Sequence, residues 1–194
     1  TYAYLDLYQG DPLAEPPTYD MVRLKKSYGF NPAPAGADTA FILGGQANLW
    51  SERLHTVRHM EYMLWPRAWA IAESVWSPAG HKNWKDFVNR IEAHFPRYDY
   101  AGINYSTSMY DPIVSVKYAK DSVVEVTLQT EVDNLSIHYS FDEFPPDNFY
   151  PVYKEPIRFP KGASSLKIRT YRDGKPIGKL MNLPLADLKK RIRR

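Results

Sequence analysis

Residues Phe41–Glu52 read FILGGQANLWSE, a short apolar run that passes through two glycines into polar and aromatic residues at every second position. Phe41, Ile42 and Leu43 have the composition of a buried strand. Gly44-Gly45 leaves the backbone free to take positive φ or to lie against a ligand, and Gln46, Asn48, Trp50 and Glu52 share one face if the segment is extended. An indole packs on the apolar face of a pyranose while amides and a carboxylate satisfy its hydroxyls, so that face suits a sugar. The other reading is a strand end whose Trp50 is core and whose Glu52 caps the following helix.

Composition sets the outer limits. At 194 residues the chain is one large domain or two small ones, and 44% hydrophobic with 24% charged residues is an ordinary globular balance. Its 15 Tyr and 5 Trp tilt toward carbohydrate contact. A net charge of +3, much of it in the closing run Lys189–Arg194, is too small to argue for nucleic acid and reads as a solvated tail. With no Cys there are no disulfides or thiolate metal sites, and the compartment stays open. His55, His59, His81, His94 and His138 lack metal-ligand spacing, so neither a metal nor a cofactor is expected. No apolar stretch is long enough to span a bilayer. The start, TYAYLDLYQG, lacks a basic n-region and an h-region, as in a mature protein or a piece of a longer one.

In chain order, Tyr2 to Tyr8 alternates like a strand, with Tyr4 and Asp6 on one face. Thr18 is a fair N-cap, Tyr19 to Tyr28 fits a short amphipathic helix, and Gly29 is its C-cap. Strand, helix, loop and the Phe41 strand make a parallel crossover, which puts Tyr4/Asp6 and Trp50/Glu52 at the carboxyl ends of neighbouring strands, where α/β folds place their sites. Thr56 to Trp76 is helical with a kink or restart at Pro66, and Asn83 or His81 opens a further helix through His94. Arg97 to Pro112 reads as irregular. Beyond it the period becomes two, around Val114, Val124, Ile137 and Leu166, with turns at Lys120-Asp121 and Asp173-Gly174. The boundary is set near Tyr110: residues 1–110 as an α/β part, 111–194 as a small antiparallel β-sandwich.

The segments YLDLYQG (4–10), ILGGQANLWSE (42–52) and EYMLWPRAWAIAESVWS (61–77) together resemble the last third of the catalytic barrel of family-20 glycoside hydrolases, the β-N-acetylhexosaminidases. The segments IHYSFDEFPPDNFYPVYKEPI (137–157) and LKIRTYRDGKPIG (166–178) resemble the β-sandwich appended to many bacterial members. The resemblance implies the last two βα units of a (β/α)8 TIM barrel followed by that sandwich. It also implies hydrolysis of terminal N-acetyl-β-D-hexosamine from glycans by a retaining route in which the sugar's own acetamide attacks the anomeric carbon, an exception to the two-carboxylate scheme. Tyr4 matches the catalytic Tyr that hydrogen-bonds the acetamide oxygen; Trp50 matches an indole walling the acetamide pocket; Asp6 and Glu52 match carboxylates that bind the outer hydroxyls. The family implies a periplasmic or secreted setting. Its catalytic Asp-Glu pair has no counterpart here, since Asp142-Glu143 falls in the sandwich segment. The chain therefore reads as a C-terminal piece that is inactive alone and whose exposed barrel strands favour self-association. The competing reading is a non-catalytic carbohydrate-binding or interaction module.

Overall fold

The computed structural model describes residues 2–192, so Thr1, Arg193 and Arg194 of the two termini lie outside the described residues. Two compact units form, one from Thr1–Gln9 with Pro16–Ser106, the other from Gly10–Glu15 with Thr107–Arg194.

The first unit is helical around a few short extended segments. Helices α1 (Leu24–Tyr28), α2 (Val57–Leu64), α3 (Arg67–Trp76) and α4 (Trp84–Ala101) bury Leu24, Tyr28, Met63, Ala70, Ile71, Phe87, Val88, Ile91 and Phe95, together with Leu5, Leu7 and Val22 of the extended segments. Thr56 caps α2, its side chain accepting from His59 N. The long helix read from Thr56 to Trp76 is interrupted at the cis Trp65–Pro66 peptide, and α3 restarts beyond it.

Three expectations are corrected here. The helix read over Tyr19–Tyr28 is only α1, because residues 18–22 lie beside Asp6–Tyr8, bent at Asp20 (φ 51°): Tyr8 N donates to Asp20 O at 3.1 Å and Val22 N to Tyr8 O at 2.9 Å. Tyr2–Tyr8 and Phe41–Leu43 are not two paired strands. Asp38 caps a 3-10 turn at Thr39–Phe41, Phe41 and Leu43 are 84% and 103% exposed, and the parallel pairing falls later, as an isolated bridge between Tyr4 and Asn48. A buried parallel strand needs backbone partners along its length, and among the described residues this segment meets one only at Asn48. Third, α4 does not stop at Pro96 but runs on to Ala101, ending on Gly102 in the left-handed region at φ 68°. Packing on both sides of Pro96 offsets the lost backbone bond: Phe95 stacks on Tyr105 at 4.3 Å, and Tyr98 packs on Trp65 and Trp69 at 5.3 and 4.7 Å.

The second unit holds β1 (Ile113–Tyr118), β2 (Val124–Gln129), β3 (Ser136–Ser140), β4 (Ile157–Arg158), β5 (Ser165–Arg172), β6 (Lys175–Pro176), β7 (Met181–Pro184) and α5 (Leu185–Arg191). Its pairings are antiparallel, in the orders β1-β2-β4 and β3-β5-β6, with β7 also on β5. Alternation along β2 and β5 sends Val124, Val126, Leu128, Leu166 and Ile168 into one core, joined by Ile137, Ile157, Met181, Leu183 and Leu188. Asp173-Gly174, both at positive φ (50° and 72°), turns β5 into β6. The tail read as solvated is helical through Arg191, whose guanidinium grips Asp11 with bonds of 2.6 and 2.7 Å.

Candidate functional site

Tyr4, Asp6, Trp50 and Glu52 line one pocket of about 390 Å³ in the first unit, together with Leu7, Tyr19 and Asp20. Leu5 and Leu7 anchor the first segment in the core, and the alternate residues Tyr4 and Asp6 line the pocket. The Leu5 N–H donates to Asn48 O at 2.7 Å and the Asn48 N–H to Ala3 O at 2.9 Å, which sets the 46–52 segment beside Tyr4. Gln46 and Asn48, read on the same face as Trp50, spend their amides on each other at 2.5 Å and do not line the pocket. Of the two glycines Gly45 lies against protein, where a Cβ would stand 2.6 Å from Phe30 Cε1 and 2.9 Å from Val75 Cγ1, whereas Gly44 faces open space at φ 152°.

Trp50 is 53% exposed, so it is not core, and Glu52 does not cap α2, a place Thr56 takes. Tyr4 is likewise exposed, whereas Asp6 is 4% exposed. One of its oxygens, Oδ2, accepts from the Tyr19 hydroxyl at 2.9 Å; the other, Oδ1, is buried with no hydrogen-bond partner among the described residues. A buried acceptor left unpaired costs on the order of 1–3 kcal/mol, more when charged, so this oxygen is an open invitation to a donor. The Tyr19 hydroxyl also lies 3.3 Å from Glu52 Oε2. Its bond to the Asp6 carboxylate, before any other cause, pushes the Tyr19 phenol up to about 12.

Two residues that shape the pocket are not marked by the sequence reading. Tyr19 falls in the segment read as a helix, although the preceding Pro16-Pro17 favours an extended entry. Arg67 is 0% exposed and spreads its guanidinium over three carbonyls: Nη1 to Val22 O at 2.9 Å, Nη2 to Leu5 O at 2.5 Å and to Met63 O at 2.8 Å. It thereby ties the backbones on both sides of the pocket to the start of α3. The available signal was its spacing, four residues after Met63 and four before Ile71, on the face that both bury.

No group of three or more His, Cys, Asp or Glu is placed to hold a metal among the described residues, and no described helix is long and apolar enough to cross a membrane. His138 is buried against Tyr171, with Nδ1 3.0 Å from Tyr150 O. Asp142 serves its own loop, accepting from Phe144 N and the Tyr150 hydroxyl, and the first of these bonds holds its carboxyl below the usual range.

Residues 1–79 match the model of glycosyl hydrolase family 20, catalytic domain. The chain is 36% identical over 177 residues to a beta-hexosaminidase of Porphyromonas gingivalis, an overlap of 88% of this chain and 22% of that protein. It is 35% identical over 95 residues to a beta-hexosaminidase of Akkermansia muciniphila, covering 48% of this chain and 19% of the other. Among solved structures it is similar to the N-acetyl-beta-hexosaminidase of Streptomyces plicatus, with a TM-score of 0.49, 31% identity, and coverage of 54% and 21% of the two chains. The chain thus spans about a fifth of the length of these relatives. The family match lies over the very segments that build the Tyr4–Trp50 pocket, so residues 1–79 carry part of a glycosyl hydrolase family 20 catalytic domain.

Proposed function

We propose that this chain supplies one wall of the sugar pocket of a β-N-acetylhexosaminidase that removes terminal non-reducing N-acetyl-β-D-hexosamine residues from glycans. Residues 1–110 are, on this reading, the last two βα units of the catalytic barrel, and residues 111–194 an accessory β-sandwich. The single observation that carries it is the buried, unpartnered Asp6 Oδ1 in a pocket shared with the exposed Tyr4 phenol and Trp50 indole. Such a pocket offers a carboxylate for sugar hydroxyls, an aromatic wall and a phenolic donor.

In the reaction so assigned, the acetamide oxygen of the substrate attacks its own anomeric carbon, and the amide becomes part of a cationic oxazoline-like ring. Tyr4 donates a hydrogen bond to that oxygen and keeps the attack in line; Trp50 excludes water from the acetamide; Asp6 and Glu52 accept from outer hydroxyls. The general acid lies outside these residues, because the one Asp-Glu step, Asp142-Glu143, sits in a loop of the second unit. Residues 1–194 alone should then show no enzyme-like turnover of an aryl N-acetyl-β-glucosaminide, general acid–base catalysis being worth about 10²- to 10⁴-fold. Measurable turnover by the purified chain sinks the assignment of the acid. Sugar binding without turnover, in a protein that also carries the rest of the family's catalytic domain, favours the binding-module reading instead.

Kinetics in such a longer protein test the roles. Tyr4→Phe should lower kcat by about 10- to 10³-fold with a smaller effect on KM, since its bond strengthens in the transition state. Trp50→Ala should harm both, and Glu52→Gln mainly KM. An intact kcat in Tyr4→Phe overturns the assignment. The same reading includes self-association through the exposed Phe41 and Leu43, which sedimentation of the chain and of Leu43→Ser compares directly.

A further inference from the structure

We propose that Tyr19 is a specificity-determining positioning residue of this pocket, its hydroxyl spanning Asp6 and Glu52 so that the two carboxylates act as one acceptor pair for the outer hydroxyls of the sugar. The inference rests on the sugar reading above and adds to it a residue on neither of the segments that carry Tyr4 and Trp50.

The placement of Tyr19 is over-determined. On its N-terminal side the Thr18 hydroxyl donates to the Asp6 carbonyl at 2.7 Å. On its C-terminal side the Asp20 carbonyl accepts from Tyr8 N and Val22 N donates to Tyr8 O, while Arg67 bonds both Leu5 O and Val22 O. Between them Asp20 takes φ 51° and turns its carboxylate back onto Met21 N at 2.7 Å. The ring itself has Arg53 5.5 Å from its centroid. A half-exposed phenol fixed from so many directions has a position the fold specifies.

Chemistry gives that position its consequence. A phenol has one proton, and with Asp6 Oδ2 at 2.9 Å and Glu52 Oε2 at 3.3 Å the shorter contact takes the larger share. Bridging relieves the repulsion between two carboxylates and fixes where each can accept. It also consumes Asp6 Oδ2 and leaves the buried Oδ1 as the oxygen of that carboxylate still without a donor. Epimeric N-acetylhexosamines differ in the direction of one ring hydroxyl. Acceptors held at a fixed spacing satisfy one arrangement and leave the other unpaired, whereas freed carboxylates re-aim and accept either.

The test is a titration, with N-acetylglucosamine and N-acetylgalactosamine, of a protein that carries this chain together with the rest of the family's catalytic domain, as wild type and as Tyr19→Phe, followed by NMR at the Trp50 indole N–H. In the wild type one epimer binds better. In Tyr19→Phe its Kd rises roughly tenfold, the equivalent of one hydrogen bond, and the ratio between the epimers falls toward one. The melting temperature falls, because Asp6 Oδ2 loses its donor while the ring is retained, so the affinities are compared well below the transition. Glu52→Gln weakens the same pair from its other side, narrows the ratio likewise, and adds little in the double variant. A wild type that discriminates, with a ratio that Tyr19→Phe does not move, overturns this inference alone. A wild type that binds neither sugar at tens of millimolar overturns the sugar reading and this inference with it.

Discussion

In the second unit β5 pairs with β3 over five residues and with β7 over four, and every strand meets a partner in register. In the first unit the segments that carry the pocket meet other strand-like backbone, among the described residues, at isolated bridges, Tyr4 with Asn48 and Tyr8 with Met21. Side chains take over there what a ladder does elsewhere. Arg67 satisfies the Leu5 and Val22 carbonyls, Thr18 the Asp6 carbonyl, and the Gln9 amide donates to Tyr62 O at 2.5 Å. The difference is physical: a hydrogen-bonded ladder over an apolar core is built from many interchangeable contacts, whereas a site built from short extended pieces depends on a few polar anchors that cannot be exchanged.

The sharpest way to break this contrast is Arg67→Met. It keeps the apolar stem but abandons carbonyls buried around the guanidinium, and should cost about 3–5 kcal/mol of stability. All five Trp lie between residues 50 and 84, so their fluorescence in a denaturant titration reports the first unit selectively. A shift below 1 kcal/mol would falsify the anchoring role. Next comes Leu183→Ala in the fully buried core of the second unit, expected to cost about 2–5 kcal/mol. The far-UV transition should move while the Trp transition keeps its midpoint; if both move together, the two units do not unfold separately.

The third effect is read with pH. Tyr19, Tyr98 and Tyr105 are each pushed up to about 12, Tyr19 by its bond to Asp6 and the other two first by burial. A folded value above the ordinary value near 10 means that the neutral phenol is the favoured form. The contribution to stability is therefore complete below pH 10 and is lost as pH rises through 12. Phenolate absorbance should show a late group of tyrosines in the first unit, and Asp6→Asn should bring one of them back toward the main titration. The smallest effect belongs to Trp50→Ala, within about 0.5 kcal/mol of wild type in stability, because its indole is exposed. Set against its expected loss of sugar affinity, this separates what builds the pocket from what the pocket is for.

Much of the second unit was legible because alternation is a local signal: Val124, Val126 and Leu128, or Leu166 and Ile168, declare a buried face without knowledge of the partner strand. A continuous apolar run is the weaker signal: at Phe41–Leu43 the apolar residues are present and the paired backbone is not. Helix α4 passes through Pro96 with rings from outside the helix on both sides of it, Tyr105 stacked on Phe95 and Trp65 edge-on to Tyr98.

By itself the sequence determined the residue types of the site, their family, the helical stretches on either side of Pro66 and the period-two strands beyond Ile113, all of which follow from spacing and motif within a few residues. Only the tertiary structure decided that residues 18–22 lie along Asp6–Tyr8, that Tyr19 bridges two carboxylates, that Arg67 gathers carbonyls from three segments and that Asp6 keeps one buried oxygen unpaired. Apart from the Arg67–Met63 bond these contacts join groups remote in sequence, up to 62 residues apart, set by which backbone donors and acceptors remain unpaired once the core has closed, and no local periodicity encodes that.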